Sequence, residues 1–409
     1  MASSVSTSVD TLRQKLLQRA KTIIRAMTLQ LLGGISSRQF LARHWQKRPL
    51  LVRNAMPGFA GFAQTTDLFR LAERDDVETR AIERHGRRWS LEHGPFTRRS
   101  FAARPARNWT LLVSGLNNHL PEADALLRDF RFLPYSRLDD VMVSYAAPGG
   151  GVGPHFDSYD VFLLQGFGRR HWKIGPARGA KTVEGNFLRQ LADFKPEEEM
   201  ILEPGDMLYL PPGWGHDGVA VDHCTTYSVG FRSPTAQELA IEFLRSFEDE
   251  VKLDGLYADP KLRSTARPAA IPDDMIRFAR SSIGRMRWRN ASIDDFLGRY
   301  LSEPKAIVNF NPRARKPPVA AFAKQLARSG ARLDARTLLL YRGRRFFVNG
   351  ESFDPARTEA GPLAKLANNR RLPAGPQGQD LAARLSDWYL HGWLHLGADD
   401  VDGADRTRP

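Results

Sequence analysis

Three things are scarce in this chain of 409 residues: cysteine, long apolar runs and internal repetition. Cys224 is the single cysteine. One thiol excludes an intramolecular disulfide framework and any Cys-built zinc site, and it fits a reducing, cytoplasmic setting. A metal here would have to be held by His, Asp and Glu. No apolar run is long enough to span a bilayer, so no membrane partner is expected. No repeat of solenoid period appears. Acidic residues are also in deficit: 60 Lys and Arg stand against 46 Asp and Glu, a formal charge of +14. Such a balance favours anionic partners, although the excess is spread along the chain rather than gathered in a patch.

What is present is ordinary globular composition, with 42% hydrophobic and 26% charged residues. The length suggests two or three domains. Residues 1–26 read as a basic N-terminal extension, with Arg13, Lys15, Arg19, Lys21 and Arg25 against one acid, Asp10. That composition fits a transit peptide, and a start at Met27 is the simpler reading. Residues 27–234 read as one domain dense in short strands, with Gly and Pro turns between them. This pattern indicates a sandwich or barrel, of which a jelly roll is one closed form. Residues 235–290 read as helical, with Leu239, Phe243, Phe247 and Val251 at i, i+4 spacing, then Ile276, Ala279, Ile283 and Met286. Residues 291–398 read as helix, loop, hairpin and helix, the order of a small winged-helix module. Residues 399–409 read as a disordered tail.

Two segments carry chemistry. "GPHFDSYDVFLLQG" (153–166) places His155 two residues before Asp157, at the head of a β-like run. A lone His-x-Asp is cheap in a chain with ten histidines. "GDMLYLPPGWGHDG" (205–218) adds a strand and a stiff Pro-Pro-Gly turn that delivers His216. If a barrel brings the two together, two imidazoles and one carboxylate share one face of a metal. That set is the usual Fe(II) site of non-haem oxygenases, and zinc hydrolases are the rival. In "GRRHWKIG" (168–175), Arg170, Trp172 and Ile174 share one strand face. Its apolar partners suggest that Arg170 points inward, where a carboxylate is its best geometric match. Ser144, opposite in parity to Val143 and Tyr145, offers a hydroxyl. Tyr159, Asp160 and Asp217 are expected near the mouth, with Asp139 and Asp140. His44, Trp45, His171, His223 and Cys224 read as structural. His391 and His395 have the i, i+4 spacing of a helical metal pair, without an evident third ligand. "YRGRRFFVNG" (341–350) is the closest approach to a basic patch.

These stretches, with "HWQKRP" and "YSVGFR", resemble the JmjC-type ribosomal oxygenases of bacteria, over about residues 30–400 in order. The resemblance implies an α+β protein: a double-stranded β-helix (cupin) catalytic domain, a helical dimerisation segment and a winged-helix C-terminal domain. It implies Fe(II), 2-oxoglutarate and O2 as cofactor and cosubstrates. His155, Asp157 and His216 would be iron ligands, and Arg170 and Ser144 would contact 2-oxoglutarate. The implied activity is hydroxylation of an arginine in a large-subunit ribosomal protein by a homodimer. Histidyl hydroxylation is the alternative within the same class. A non-catalytic cupin adaptor binding ribosomal protein or RNA is the alternative outside it, and demethylation of methylated protein a third. The basic hairpin permits a weak RNA contact.

Overall fold

The alternating segments of the middle of the chain pair into two facing sheets. A computed structural model of the chain describes residues 29–397, apart from 87, 178 and 184–189. The basic extension at 1–26 and the tail at 399–409 lie outside the described residues. The first half holds β1 (Leu50–Val52), β2 (Thr79–His85), β3 (Arg88–His93), β4 (Trp109–Val113), β5 (Leu138–Ala146) and β6 (His155–Phe156). There follow β7 (Val161–Gln165), β8 (Arg170–Pro176), β9 (Glu198–Leu202), β10 (Met207–Leu210), β11 (Trp214–Ala220) and β12 (Cys224–Phe231). The large sheet has the order β1-β10-β7-β12-β5-β4-β2-β3, and the small one β6-β11-β8-β9. All the pairs are antiparallel. This is the expected jelly-roll domain.

Strands β4, β7, β10 and β12 of the large sheet are buried on both faces, and strand parity assigns each side chain to one of two environments. Val141, Val143 and Tyr145 of β5, Phe162 and Leu164 of β7, and Tyr227, Val229 and Phe231 of β12 enter the main core. Helices α1 (Ser37–Arg43), α2 (Thr65–Ala72), α3 (Arg98–Ala102) and α4 (Pro121–Asp129) accompany this side, and Phe40, Leu68, Phe101 and Leu127 join the same core. The opposite parity faces the small sheet. There Val161, Leu163, Leu208 and Leu210 meet Trp172, Ile174 and Leu202 in a second apolar cluster. His44 and Trp45 pack as expected: His44 stacks on Phe40 and Trp45 on Tyr209.

After β12 the chain forms α5 (Ala236–Phe247), α6 (Asp273–Ile283) and α7 (Asn290–Ser302). A reciprocal cap starts α5: Thr235 Oγ1 accepts from the Glu238 backbone N–H, and the Glu238 carboxylate accepts from that of Thr235. Met286 lies beyond the end of α6 rather than on it. Of the apolar stripe Leu239, Phe243, Phe247 and Val251, the two phenylalanines pack within this chain. Phe243 lies 5.4 Å from Phe296 of α7 and 5.6 Å from Trp288, and Phe247 lies 5.9 Å from Trp288 (ring centroids). The exposed apolar residues on these helices include Ile241, Leu244 and Met275, together with Ile276 and Ile283 of the expected second apolar face.

The rest is a separate core. Helices α8 (Val319–Ser329), α9 (Arg357–Asn369) and α10 (Gln379–Leu390) combine with β13 (Ala331–Leu333), β14 (Leu339–Arg342), β15 (Arg345–Val348), β16 (Glu351–Phe353), β17 (Arg371–Leu372) and β18 (Leu394–Leu396). The strands form two three-stranded sheets, β14-β15-β16 and β17-β13-β18. His391 and His395 do not share a helix. His391 caps α10, while His395 lies on β18 with Nε2 2.8 Å from Asp334 Oδ2. The helical metal pair is therefore excluded by geometry. The arginines of the basic hairpin are largely neutralised: Arg342 pairs with Asp294, and Arg345 with Asp295 and Asp354.

Candidate active site

Register alone brings the two histidines together. In the β6–β11 pair, His155 stands directly opposite His216, and their rings lie 4.2 Å apart. His216 is the third residue of β11 rather than a turn residue, so the Pro-Pro-Gly turn feeds the strand that carries it. That turn also anchors the other half of the site. The Gly213 N–H donates to the Asp157 carbonyl at 3.0 Å, and Gly213 sits at φ +76°, a conformation open to glycine at little cost. The carboxylate of Asp157 reaches within 3.7 Å of His216 Nε2. One ligand atom each from His155, Asp157 and His216 fits within 4.8 Å of the others.

Each imidazole spends one ring nitrogen on a backbone carbonyl. Nδ1 of His155 lies 2.9 Å from the Gly153 carbonyl, and Nδ1 of His216 3.1 Å from that of Trp214. A carbonyl only accepts, so each Nδ1 carries the proton and each Nε2 keeps a lone pair. Burial, and then the facing His155, push the His216 pKa down to about 4. The ring is therefore neutral at physiological pH, as metal ligation requires.

The triad opens into a cleft of about 390 Å³ between the two sheets. Arg170 and Ser144 line the same cleft. Arg170 is only 4% exposed, and its Nε and Nη2 have no hydrogen-bond partner among the described residues. A buried guanidinium with unused donors is costly unless an anion completes it. Its burial alternates with His171 and Lys173 as strand parity predicts, and His171 lies on the outer side beside Glu199. Across the cleft, Ser144 pairs in register with Thr226, which also lines it. Thr226 was not foreseen, although its parity against buried Tyr227 carries the same signal as that of Ser144.

Of the residues expected at the mouth, Tyr159, Asp139 and Asp140 line the cleft, as does Met142. Burial raises the Tyr159 hydroxyl pKa, and the nearby Asp157, Asp140 and Asp139 raise it further. Tyr159 thus lies within electrostatic reach of both the triad and the acidic pair. Two expected acids are elsewhere. Asp160 is fully buried and structural, accepting from Tyr209 Oη at 2.6 Å and Gln46 Nε2 at 3.1 Å, with Arg137 at 3.2 Å. Asp217 follows His216 on β11 and so points to the opposite face of the small sheet. His223 and Cys224 are structural: His223 bonds Tyr145 Oη, and Cys224 is buried. Lys305, from the C-terminal module, also lines the cleft. It lies 165 residues from Asp140 in sequence, and no local pattern announces it.

Comparison with known proteins agrees with this arrangement. Residues 125–239 match the model of the JmjC domain, and residues 285–395 that of the ROXA-like winged helix. The ribosomal protein uL16 3-hydroxylase of Escherichia coli is 35% identical over 351 residues, 84% of this chain and 91% of that protein. A probable ribosomal oxygenase of Haemophilus influenzae is 36% identical over 214 residues, covering 50% of its own length and 49% of this chain. The X-ray structure of E. coli ycfD aligns with a TM-score of 0.75 at 31% identity, over 88% of this chain and 98% of that one. YcfD in complex with cobalt and 2-oxoglutarate aligns with a TM-score of 0.74 at 31% identity, over 89% of this chain and 99% of that one. The chain belongs to the family of JmjC-domain ribosomal oxygenases.

Proposed function

We propose that this chain is an Fe(II)- and 2-oxoglutarate-dependent oxygenase that hydroxylates an arginine side chain of a large-subunit ribosomal protein. The observation that carries the reading is the sharing of one cleft by the His155–Asp157–His216 set and Arg170, whose buried Nε and Nη2 lack a hydrogen-bond partner among the described residues. A zinc hydrolase has no use for the second feature, whereas a dicarboxylate cosubstrate needs a buried cation. The complex of the E. coli relative with cobalt and 2-oxoglutarate supports the same assignment.

His155, Asp157 and His216 would hold the iron on one face, leaving the other side open to the cleft. Iron with 2-oxoglutarate and O2 supplies the oxygen-transfer chemistry when bound. Arg170 would hold the distal carboxylate of 2-oxoglutarate through paired charge-assisted hydrogen bonds, with Ser144 adding a hydroxyl. Trp172, Val161 and Leu163 exclude water beneath it. Asp139, Asp140 and Tyr159 would receive the target side chain beside the triad. Two carboxylates favour a guanidinium over a neutral imidazole, which prefers arginine to histidine as the target. The name of the E. coli relative supports a ribosomal protein as the substrate.

The enzyme would act in the cytoplasm as a homodimer. Among the described residues no helix is long and apolar enough to cross a membrane. Arg342 and Arg345 of the β14–β15 hairpin are spent on Asp294, Asp295 and Asp354, which leaves an RNA contact weak and secondary to the protein substrate. Intact-mass analysis of ribosomal proteins, with and without the enzyme, tests the function. One large-subunit protein should gain one oxygen atom. A peptide carrying the modified residue should then be hydroxylated, and its Arg-to-His counterpart should not. The reverse preference would move the chain to the histidyl hydroxylases.

A further inference from the structure

The cation that balances the acidic pair comes from the other domain. Lys305 sits on the loop that leaves α7, three residues past Ser302. Its Nζ lies 3.0 Å from Asp139 Oδ1 and 3.1 Å from Asp140 Oδ2, inside the cleft that holds the triad. Arg232 supplies a second cation, with Nε 3.4 Å from Asp139 Oδ1 and Nη1 donating to the Leu301 carbonyl. Two carboxylates and two cations already sum to zero. A third cation entering the pair would leave it with an uncompensated positive charge in a partly buried space.

We propose that Lys305 is a built-in occupant of this cation site and that the substrate's cationic side chain enters by displacing it. The proposal rests on the reading of the cleft as the site of a cationic substrate. Lys305 is the cation suited to leave. Its side chain is 40% exposed and loop-borne, whereas that of Arg232 is 20% exposed and tied to a backbone carbonyl. A partly exposed lysine pair is weak, and the released ammonium can turn to water without stranding a buried charge. A guanidinium offers two parallel donors to the carboxylates where an ammonium is a point charge, so it can win the exchange. A neutral side chain cannot. Lys305 thereby acts as a specificity-determining residue: weak or uncharged side chains fail to open the pocket, and the winged-helix module sets the threshold.

An unoccupied site binds more tightly than one that must first be vacated, in proportion to the fraction vacant. The probe is N-acetylarginine amide, which carries the guanidinium without a carboxylate, titrated into the full-length protein by ligand-observed NMR. Lys305→Met should bind it about fivefold more tightly than the parent. N-acetylcitrulline amide should show no gain, and adding Asp140→Asn should abolish it. Lys305→Gln repeats the test should the methionine variant misfold. Acetylation of the unsubstituted protein gives a measure free of any variant: Lys305 should become more reactive as the arginine probe is added. Equal or weaker probe binding in the Lys305 variants, or protection of Lys305 by the probe, overturns the exchange. None of these readouts requires turnover. A protein that hydroxylates no ribosomal peptide would remove the functional reading, and probe binding would still decide whether Lys305 is displaced.

Discussion

A side chain in this cleft is defined by what its partners leave unsatisfied. His155 and His216 each give one nitrogen to a carbonyl and keep the other free, and Asp157 closes the set. Substituting any one of the three by alanine should abolish turnover and weaken Mn(II) binding, measured by calorimetry on the 2-oxoglutarate-loaded protein. Undiminished activity in a single variant would remove that residue from the set. Arg170→Ala should behave differently. It should raise the 2-oxoglutarate requirement by ten- to a hundredfold, the loss of roughly 1.5–3 kcal/mol for charge-assisted bonds, while metal affinity holds. An unchanged 2-oxoglutarate KM would make Arg170 structural. These four residues were legible in the sequence because each sits on, or next to, a strand whose parity or turn chemistry is local. Lys305 was not legible as part of the site, because only the docking of two domains brings it to Asp139 and Asp140, and Arg232 reaches Asp139 through the pairing of β12 with β5. Asp160 and Asp217 misled for a different reason: nearness in sequence to the triad does not fix where a carboxylate points.

Elements announced themselves where alternation was strong and failed to where glycine or charge diluted it. Strand β7 and most of β5 and β12 were evident from their β-branched and aromatic runs. Strand β11 was read as a turn because its two glycines, Gly215 and Gly218, lower its strand propensity. One of them, Gly218, is required by packing: a Cβ there would meet the Trp172 ring at 2.6 Å. Strand β9 begins with exposed glutamates, and β6 has only two residues, too short for any periodicity. In the winged helix, sequence spacing also hid a buried network. Burial alone would raise the Asp334 carboxyl pKa, yet hydrogen bonds from Arg336 and His395 hold it well below the usual carboxylate range. A depressed carboxylate stabilises fully above its unfolded pKa, near 3.8, and that contribution is lost as pH falls further. Asp334→Ala should therefore lower the melting temperature at neutral pH, at a cost of about 3 kcal/mol, and flatten the stability loss below pH ~4. Parallel acid-melting curves for parent and variant would show the mechanism to be wrong.

At the scale of the whole molecule, the helical segment has two apolar faces with different destinations. Phe243, Phe247, Trp288 and Phe296 consume one of them within the chain. Ile241 and Leu244 on α5, and Met275, Ile276 and Ile283 on α6, are left 36–62% exposed. Soluble chains seldom leave so many large apolar side chains uncovered in one segment without a partner. A second copy of this chain is the partner that a symmetric oligomer supplies without further components. The amphipathic pattern gave the helices but not this division, since Phe243 and Leu244 are adjacent in sequence and only packing tells which one is spent internally. The two faces predict opposite results. Phe243→Ala should destabilise the fold by about 3 kcal/mol, because it opens a cavity against Phe296. Leu244→Glu with Ile283→Glu should leave the melting profile of each subunit intact and yield a monomer by light scattering at micromolar concentration. A parent protein that is already monomeric under those conditions would refute the dimer, and a double variant that remains dimeric would place the interface elsewhere.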